Sequence, residues 1–254
     1  MWVAFCLIVV ASIPPGLALT RILDGAADTF RKVLLCLPLG LLVLYGTSGI
    51  LFVIQAWNII KNKKLSLSLK KNVKKNILKT ERFSGASFGG ENPLLLSVRS
   101  GAPVSMPGMM ETILNIGLTS KTIPYLIERS KSERFVYDSY RRLIMMYSDV
   151  VMEKSLGLNK SNKPIRIKME DMLSALKKKY DYKNDAAISA DHLKELVSKY
   201  LSLIEKDFGI PFPDDPYDQL FGSIEAVFSS WNGKRAKEYR KFENIPSSMG
   251  TAVS

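Results

Sequence analysis

The sequence predicts an α+β fold, mostly helical, preceded by an apolar N-terminal segment. Three observations lead there. Beyond residue 130 the apolar residues recur at helical spacing; a short apolar run at 92–100 opens into a loop rich in glycine, proline and methionine; and residues 33–60 carry no charge.

Residues 1–20 are also uncharged, with Pro14 and Pro15 interrupting the apolar run. They read either as a signal or anchor lacking its basic n-region, or as a short hydrophobic element entering a Pro-Pro-Gly turn. The 33–60 run is longer. At about 1.5 Å per residue a helix of that length would reach roughly 42 Å, more than the roughly 30 Å of a bilayer's hydrocarbon core. Seven lysines follow between Lys61 and Lys75 with no acid among them. Residues 33–60 are therefore a candidate transmembrane helix whose basic flank would be cytosolic, leaving the rest of the chain cytoplasmic. Pro38, Gly40, Gly46 and Gly49 weaken that helix, so a buried helix pair, or a stretch foreign to the natural protein, stays open. Residues 61–80 read as a basic linker, drawn to anionic lipid or forming a solvated helix face.

The body is read from residue 81. The apolar run at 92–100 suits a buried strand, the segment SGAPVSMPGMM a loop, and METILNIGL a short helix stopped near Gly117. A strand, a glycine-containing loop and a helix start can hold an anion, because backbone N–H groups converge on it. Arg99 at the strand end offers a planar fork for phosphate oxygens, and Ser97, Ser100 and Ser105 offer hydroxyls. A plain surface loop carrying an arginine explains the same spacing.

Three helices follow. Phe135, Val136, Tyr140, Leu143, Ile144, Tyr147 and Val151 make one apolar stripe. Ser189 can cap a second helix, whose stripe is Leu193, Leu196, Val197, Tyr200, Leu201 and Ile204, ending by Gly209. Asp215–Pro216 opens a third, with Tyr217, Leu220, Phe221, Ile224, Val227, Phe228 and Trp231 inward.

The formal charge is +12, but 1–80 hold eleven Lys/Arg against two acids, and 81–254 hold 25 against 22. The body is nearly neutral, which argues against a nucleic-acid partner. Cys6 and Cys36 lie in apolar stretches without zinc spacing, and the body has no cysteine to form a disulfide. His192 is the only histidine, so no His-based dyad or multi-histidine metal cluster exists; beside Asp191 in a first helical turn it reads as an exposed helix residue. Glu170–Asp171 and Asp214–Asp215 read as helix-start acids.

Three segments then resemble one family in the same order. They are ENPLLLSVRSGAPVSMPGMMETILNIGL at 91–118, ERFVYDSYRRLIMMYSDVVM at 133–152 and FPDDPYDQLFGSIEAVFSSWNGKRAKEYRKFENIPSSMGTAV at 212–253. They resemble the nucleotide-binding region of pyruvate phosphate dikinases over about 81–254. The resemblance implies a partial ATP-grasp-type domain using ATP with Mg. The complete enzyme would convert ATP, phosphate and pyruvate to AMP, pyrophosphate and phosphoenolpyruvate through a phosphorylated histidine on a swivelling domain. It also implies a homo-oligomer. By the same resemblance Arg99 would contact ATP phosphates, and Gly101 and Gly108 would keep the loop close to the nucleotide; Ser97 and Ser100 stay candidates from the strand-and-loop reading. Arg142 is a second candidate; an ion pair with Asp138 at i−4 is its alternative.

The departures are specific. SIPPG at 12–16 echoes a Val-Pro-Pro-Gly stretch, but the GGKGA-type loop with its ATP-contacting lysine does not precede it. The family's acidic metal ligands, its TSHA-type histidine motif and its pyruvate-binding barrel are not found in these residues. The expectation is an ATP-binding piece of a larger dikinase, inactive alone. The alternatives are a membrane-anchored, non-catalytic protein keeping the remnant as a binding module, and a 33–80 stretch from translated non-coding sequence.

Overall fold

The computed structural model describes residues 64–254, residues 103 and 160 excepted. The candidate span at 33–60, residues 1–20 and both cysteines lie outside the described residues. Among the described residues no helix is long and apolar enough to cross a membrane. The fold is α+β and helix-rich, as the sequence predicts. The described residues form two compact units. The larger takes in Leu65–Arg99, Glu111–Val227 and Ser254; the smaller takes in Lys64, Ser100–Met110 and Phe228–Val253.

In the larger unit, α1 spans Leu67–Ser84 and so crosses the boundary at residue 80 where the sequence reading ended a linker. Its ends explain it. The Ser66 side chain accepts the Leu69 N–H, and Gly85 closes the helix at φ 69°. No side chain of α1 is buried.

Strand β1, Leu96–Gly101, pairs antiparallel with β2, Thr112–Ile116. The helix expected at METILNIGL is therefore a strand, and the helix N-terminus expected after the loop is not there. The register gives the physical reason. Leu96 faces Ile116 while Val98 faces Ile113, so β2 carries one extra residue. Asn115 absorbs it at φ 61°, a conformation that asparagine tolerates. This bulge turns both Ile113 and Ile116 inward, and inward residues three apart imitate a helix. Strand β1 is also less buried than expected, with Val98 alone fully inside.

Helices α2 (Ile123–Ser130), α3 (Glu133–Tyr147), α4 (Ile165–Lys179) and α5 (Ala190–Phe208) build the rest of the larger unit. A π-helical stretch, Ser148–Ser155, continues α3. The core forms where α3 meets α5. Val136, Tyr140, Leu143, Ile144 and Tyr147 bury against Leu193, Leu196, Val197, Tyr200 and Ile204, as their spacing predicts. Phe135 does not join them. One residue before Val136 it points about 100° away and is mostly exposed. Ser189 caps α5 and Gly209 ends it at φ 75°, both as expected.

Asp215 opens α6 (Pro216–Ser230), its carboxylate accepting the N–H groups of Tyr217 and Asp218. Glu170–Asp171 do not start a helix; they lie in the second turn of α4, paired with Arg166 and Lys163. The buried Gln219 ties β2 to α6. Its Oε1 accepts the Gly117 N–H at 3.0 Å and its amide donates to the Leu118 and Pro213 carbonyls. Gly117 must be glycine: its φ is 97°, and a Cβ would lie 2.8 Å from the Phe88 ring.

In the smaller unit the last turn of α6 is followed by α7 (Lys234–Phe242) and β3 (Ala252–Val253). Met106, Trp231 and Ala236 form its core, with Ala102, Met109, Met110, Tyr239, Ile245 and Met249 around them. Arg240 is buried against the Trp231 ring and donates to the Trp231 carbonyl at 2.6 Å.

Candidate functional site

The candidate site is built on β1, whose alternation places Val98 inside and Ser97 and Arg99 outside. The backbone at Arg99 is held on both sides. It lies opposite Thr112 of β2, and it exchanges two hydrogen bonds with Ser254, of 2.8 and 2.9 Å. Its guanidinium, by contrast, makes no ion pair or hydrogen bond to a described residue. A fixed backbone carrying an unpaired cation is a group prepared to meet an anion, since the cost of ordering the chain is already met in folding.

Ser100 and Gly101 belong to the smaller unit, where they face Val253 and Ala252 of β3. At Gly101 the fold does not demand glycine. A Cβ there would meet Ala252 at 3.7 Å, an ordinary contact. Gly108 differs: it takes φ 69° behind Pro107, and the Met109 N–H closes the turn onto the Met106 carbonyl at 3.1 Å. That is the Pro–Gly pattern of a type II turn, so Gly108 is required for conformation. The methionines of the loop serve packing, Met106 buried and Met109 and Met110 partly so.

Arg142 lies on α3 and is mostly exposed. Its Nε bonds Asp138 Oδ2 at 3.0 Å, which is the i−4 ion pair weighed from the sequence, and its two terminal NH2 groups have no described partner. The sequence reading passed over its neighbour Arg141, 3% exposed, which pairs with Asp138 at 2.7 Å and Asp185 at 3.3 Å. The signal was present: Arg141 follows Tyr140 and precedes Ile144 by three, at the edge of the buried stripe. Asp185 also takes the Lys177 ammonium at 2.9 Å, and chiefly that bond holds its carboxyl below the usual range. This network is a fastening between elements and offers no free cation.

His192 is half-buried rather than an exposed helix residue. It stacks on Tyr180 at 3.7 Å, and its Nδ1 lies 2.8 Å from the Tyr182 hydroxyl. The described residues contain no group of three His, Cys, Asp or Glu side chains placed to hold a metal ion.

Residues 53–254 match a family model described as pyruvate phosphate dikinase, AMP/ATP-binding domain. That sets the class, an AMP/ATP-binding domain, and extends the match 28 residues before the resemblance read from residue 81. The chain is 42% identical over 195 residues to pyruvate, phosphate dikinase of Rhizobium meliloti (76% of this chain, 21% of the relative). It is 45% identical over 176 residues to the Clostridium symbiosum protein (68% and 19%). It is 44% identical over 196 residues to the chloroplastic protein 1 of Arabidopsis thaliana (77% and 19%). The chain belongs to the pyruvate phosphate dikinase AMP/ATP-binding domain family, and it spans about a fifth of the length of these relatives.

Proposed function

We propose that this chain binds ATP as the nucleotide-binding part of a pyruvate phosphate dikinase-like phosphotransferase, with Arg99 engaging the nucleotide's phosphates. The observation that carries this is the unpaired Arg99 guanidinium on a backbone clamped by β2 and Ser254. A guanidinium gives two parallel hydrogen bonds to phosphate oxygens, and it neutralises charge that moves between oxygens as a phosphoryl group leaves. Ser97, exposed on the same face of β1, adds a hydroxyl donor.

Ser100, Gly101 and Gly108 are each proposed separately as nucleotide contacts. Gly101 has the clearest support, because neither φ nor packing within the fold requires glycine there. Close approach of a ligand to its backbone would. Arg142 is the second candidate cation, through the two guanidinium NH2 groups its Asp138 pair leaves unused. Among the described residues no three His, Cys, Asp or Glu side chains cluster to hold Mg by themselves; with ATP it would be carried on the nucleotide phosphates. The ATP-grasp architecture and the complete dikinase reaction are likewise proposals resting on the family.

Calorimetric titration with ATP tests the reading. The 254-residue chain should bind, and Arg99→Ala should weaken binding by about 10- to 100-fold, the worth of a charged hydrogen-bonding group. Arg99→Lys should recover part of the loss, because it restores charge without the fork. Gly101→Ala should keep the fold and lower affinity. Equal ATP affinity in Arg99→Ala and the parent chain would remove Arg99 from the site.

A further inference from the structure

We propose that α1 is a docking surface for an anionic lipid bilayer. Lys71, Lys75, Lys79 and Arg82 recur at i, i+4, i+8 and i+11, which puts them in one stripe along the helix. None of the four makes an ion pair or hydrogen bond to a described residue. Glu81, the only acid of α1, is already engaged by the Phe88 N–H at 2.6 Å. The stripe faces away from the body. Lys70 and Lys74, one residue and about 100° round from Lys71 and Lys75, lie over the Phe221 and Tyr217 rings at 5.0 and 4.9 Å. Leu69, Val73 and Ile77 are half-buried on that same inner side.

Charge complementarity demands an anionic partner; the apolar residues in the stripe decide which one. Leu67 is 86% exposed, Leu78 51% and Phe83 94%. Leu67 precedes Lys71 by four residues, Leu78 follows Lys75 by three, and Phe83 follows Lys79 by four, so each is a helix neighbour of a stripe cation. Leucines have no use against a phosphate backbone. At a membrane surface they enter the acyl boundary while the lysines stay among the headgroups. Each cation near such a surface multiplies affinity by about fivefold.

Co-sedimentation of the full 254-residue chain with phosphatidylcholine vesicles, with and without phosphatidylserine, tests this. The uncharged 33–60 run has no preference for anionic lipid, so the readout is the increment that phosphatidylserine adds. The combined change Lys71→Gln, Lys75→Gln and Lys79→Gln should cut that increment by about 100-fold and leave the circular dichroism unchanged, glutamine being a good helix former at exposed positions. Arginine at the same three positions should retain it, added salt should weaken it, and Phe83→Ser should lower binding without changing the salt dependence. An increment that is absent, or that survives the triple glutamine change, overturns the proposal. So does tighter binding of an RNA oligonucleotide than of the phosphatidylserine vesicles, which would assign the stripe to nucleic acid.

Discussion

Arg99, Arg141 and Arg142 show how far chemical type underdetermines what a residue does. All three are guanidinium groups, and their surroundings separate them. Arg141 is closed in by Asp138 and Asp185, Arg142 shares Asp138 from the solvent side, and Arg99 has no described carboxylate to hold it. Arg141→Ala leaves Asp138 with Arg142 and Asp185 with Lys177, so it should cost about 2 kcal/mol of stability, the worth of a charged hydrogen-bonding group, measured by urea unfolding. Arg142→Ala removes an exposed i,i+4 pair and should cost less than about 1 kcal/mol. The pair Arg141/Arg142 was half legible: the sequence placed both on one helix and foresaw the Asp138 contact. Which of the two is buried depends on what α4 and the Asp185 turn bring alongside.

At the scale of elements, helices with a regular stripe and polar caps were readable, and the β2 strand was not. The stripe of α5 and its Ser189 and Gly209 caps are properties of the local chain. The period of β2 is broken by a bulge, and a bulge is a relation to the partner strand that no single segment carries. The elements also leave a titration signature. Burial raises the pKa of Tyr140 and Tyr147 in α3 and of Tyr200 in α5 well above the usual tyrosine value of 10.0. Their phenolates are disfavoured in the folded chain and available in the unfolded one. The stability they contribute is complete below pH 10 and declines as pH rises through the alkaline range. Absorbance titration at the phenolate band should show these three silent until the chain unfolds, then ionising together; Tyr200→Phe should remove one from that late step. A smooth titration of all tyrosines near their usual pKa would show α3 and α5 to be loosely packed.

At the scale of the whole molecule, an ATP site is not a complete dikinase. The family's resemblance implies a histidine that carries the phosphoryl group, and His192 is the one histidine in 254 residues. It is stacked on Tyr180, and its Nδ1 lies 2.8 Å from the Tyr182 hydroxyl, in the first turn of α5. The purified 254-residue chain should therefore form no phosphoenolpyruvate from ATP, phosphate and pyruvate, while still binding ATP. A coupled lactate dehydrogenase assay run in the reverse direction, consuming phosphoenolpyruvate, gives the same answer from pyruvate release. Turnover in either direction, lost in His192→Asn, would make His192 the phosphoryl carrier.

The sequence by itself determined the helix-rich α+β class, the faces of the long helices, their caps, and the family, because these depend on local periodicity and on the run ENPLLLSVRSGAPVSMPGMM. Only the tertiary structure decided that β2 is a strand, that Met106 of the loop is core, that Gly108 serves a turn while Gly101 is free of any packing demand, and that Arg99 rather than Arg141 is left unpaired. Each of those outcomes depends on which distant segment arrives beside the residue, and chain-local spacing holds no record of that.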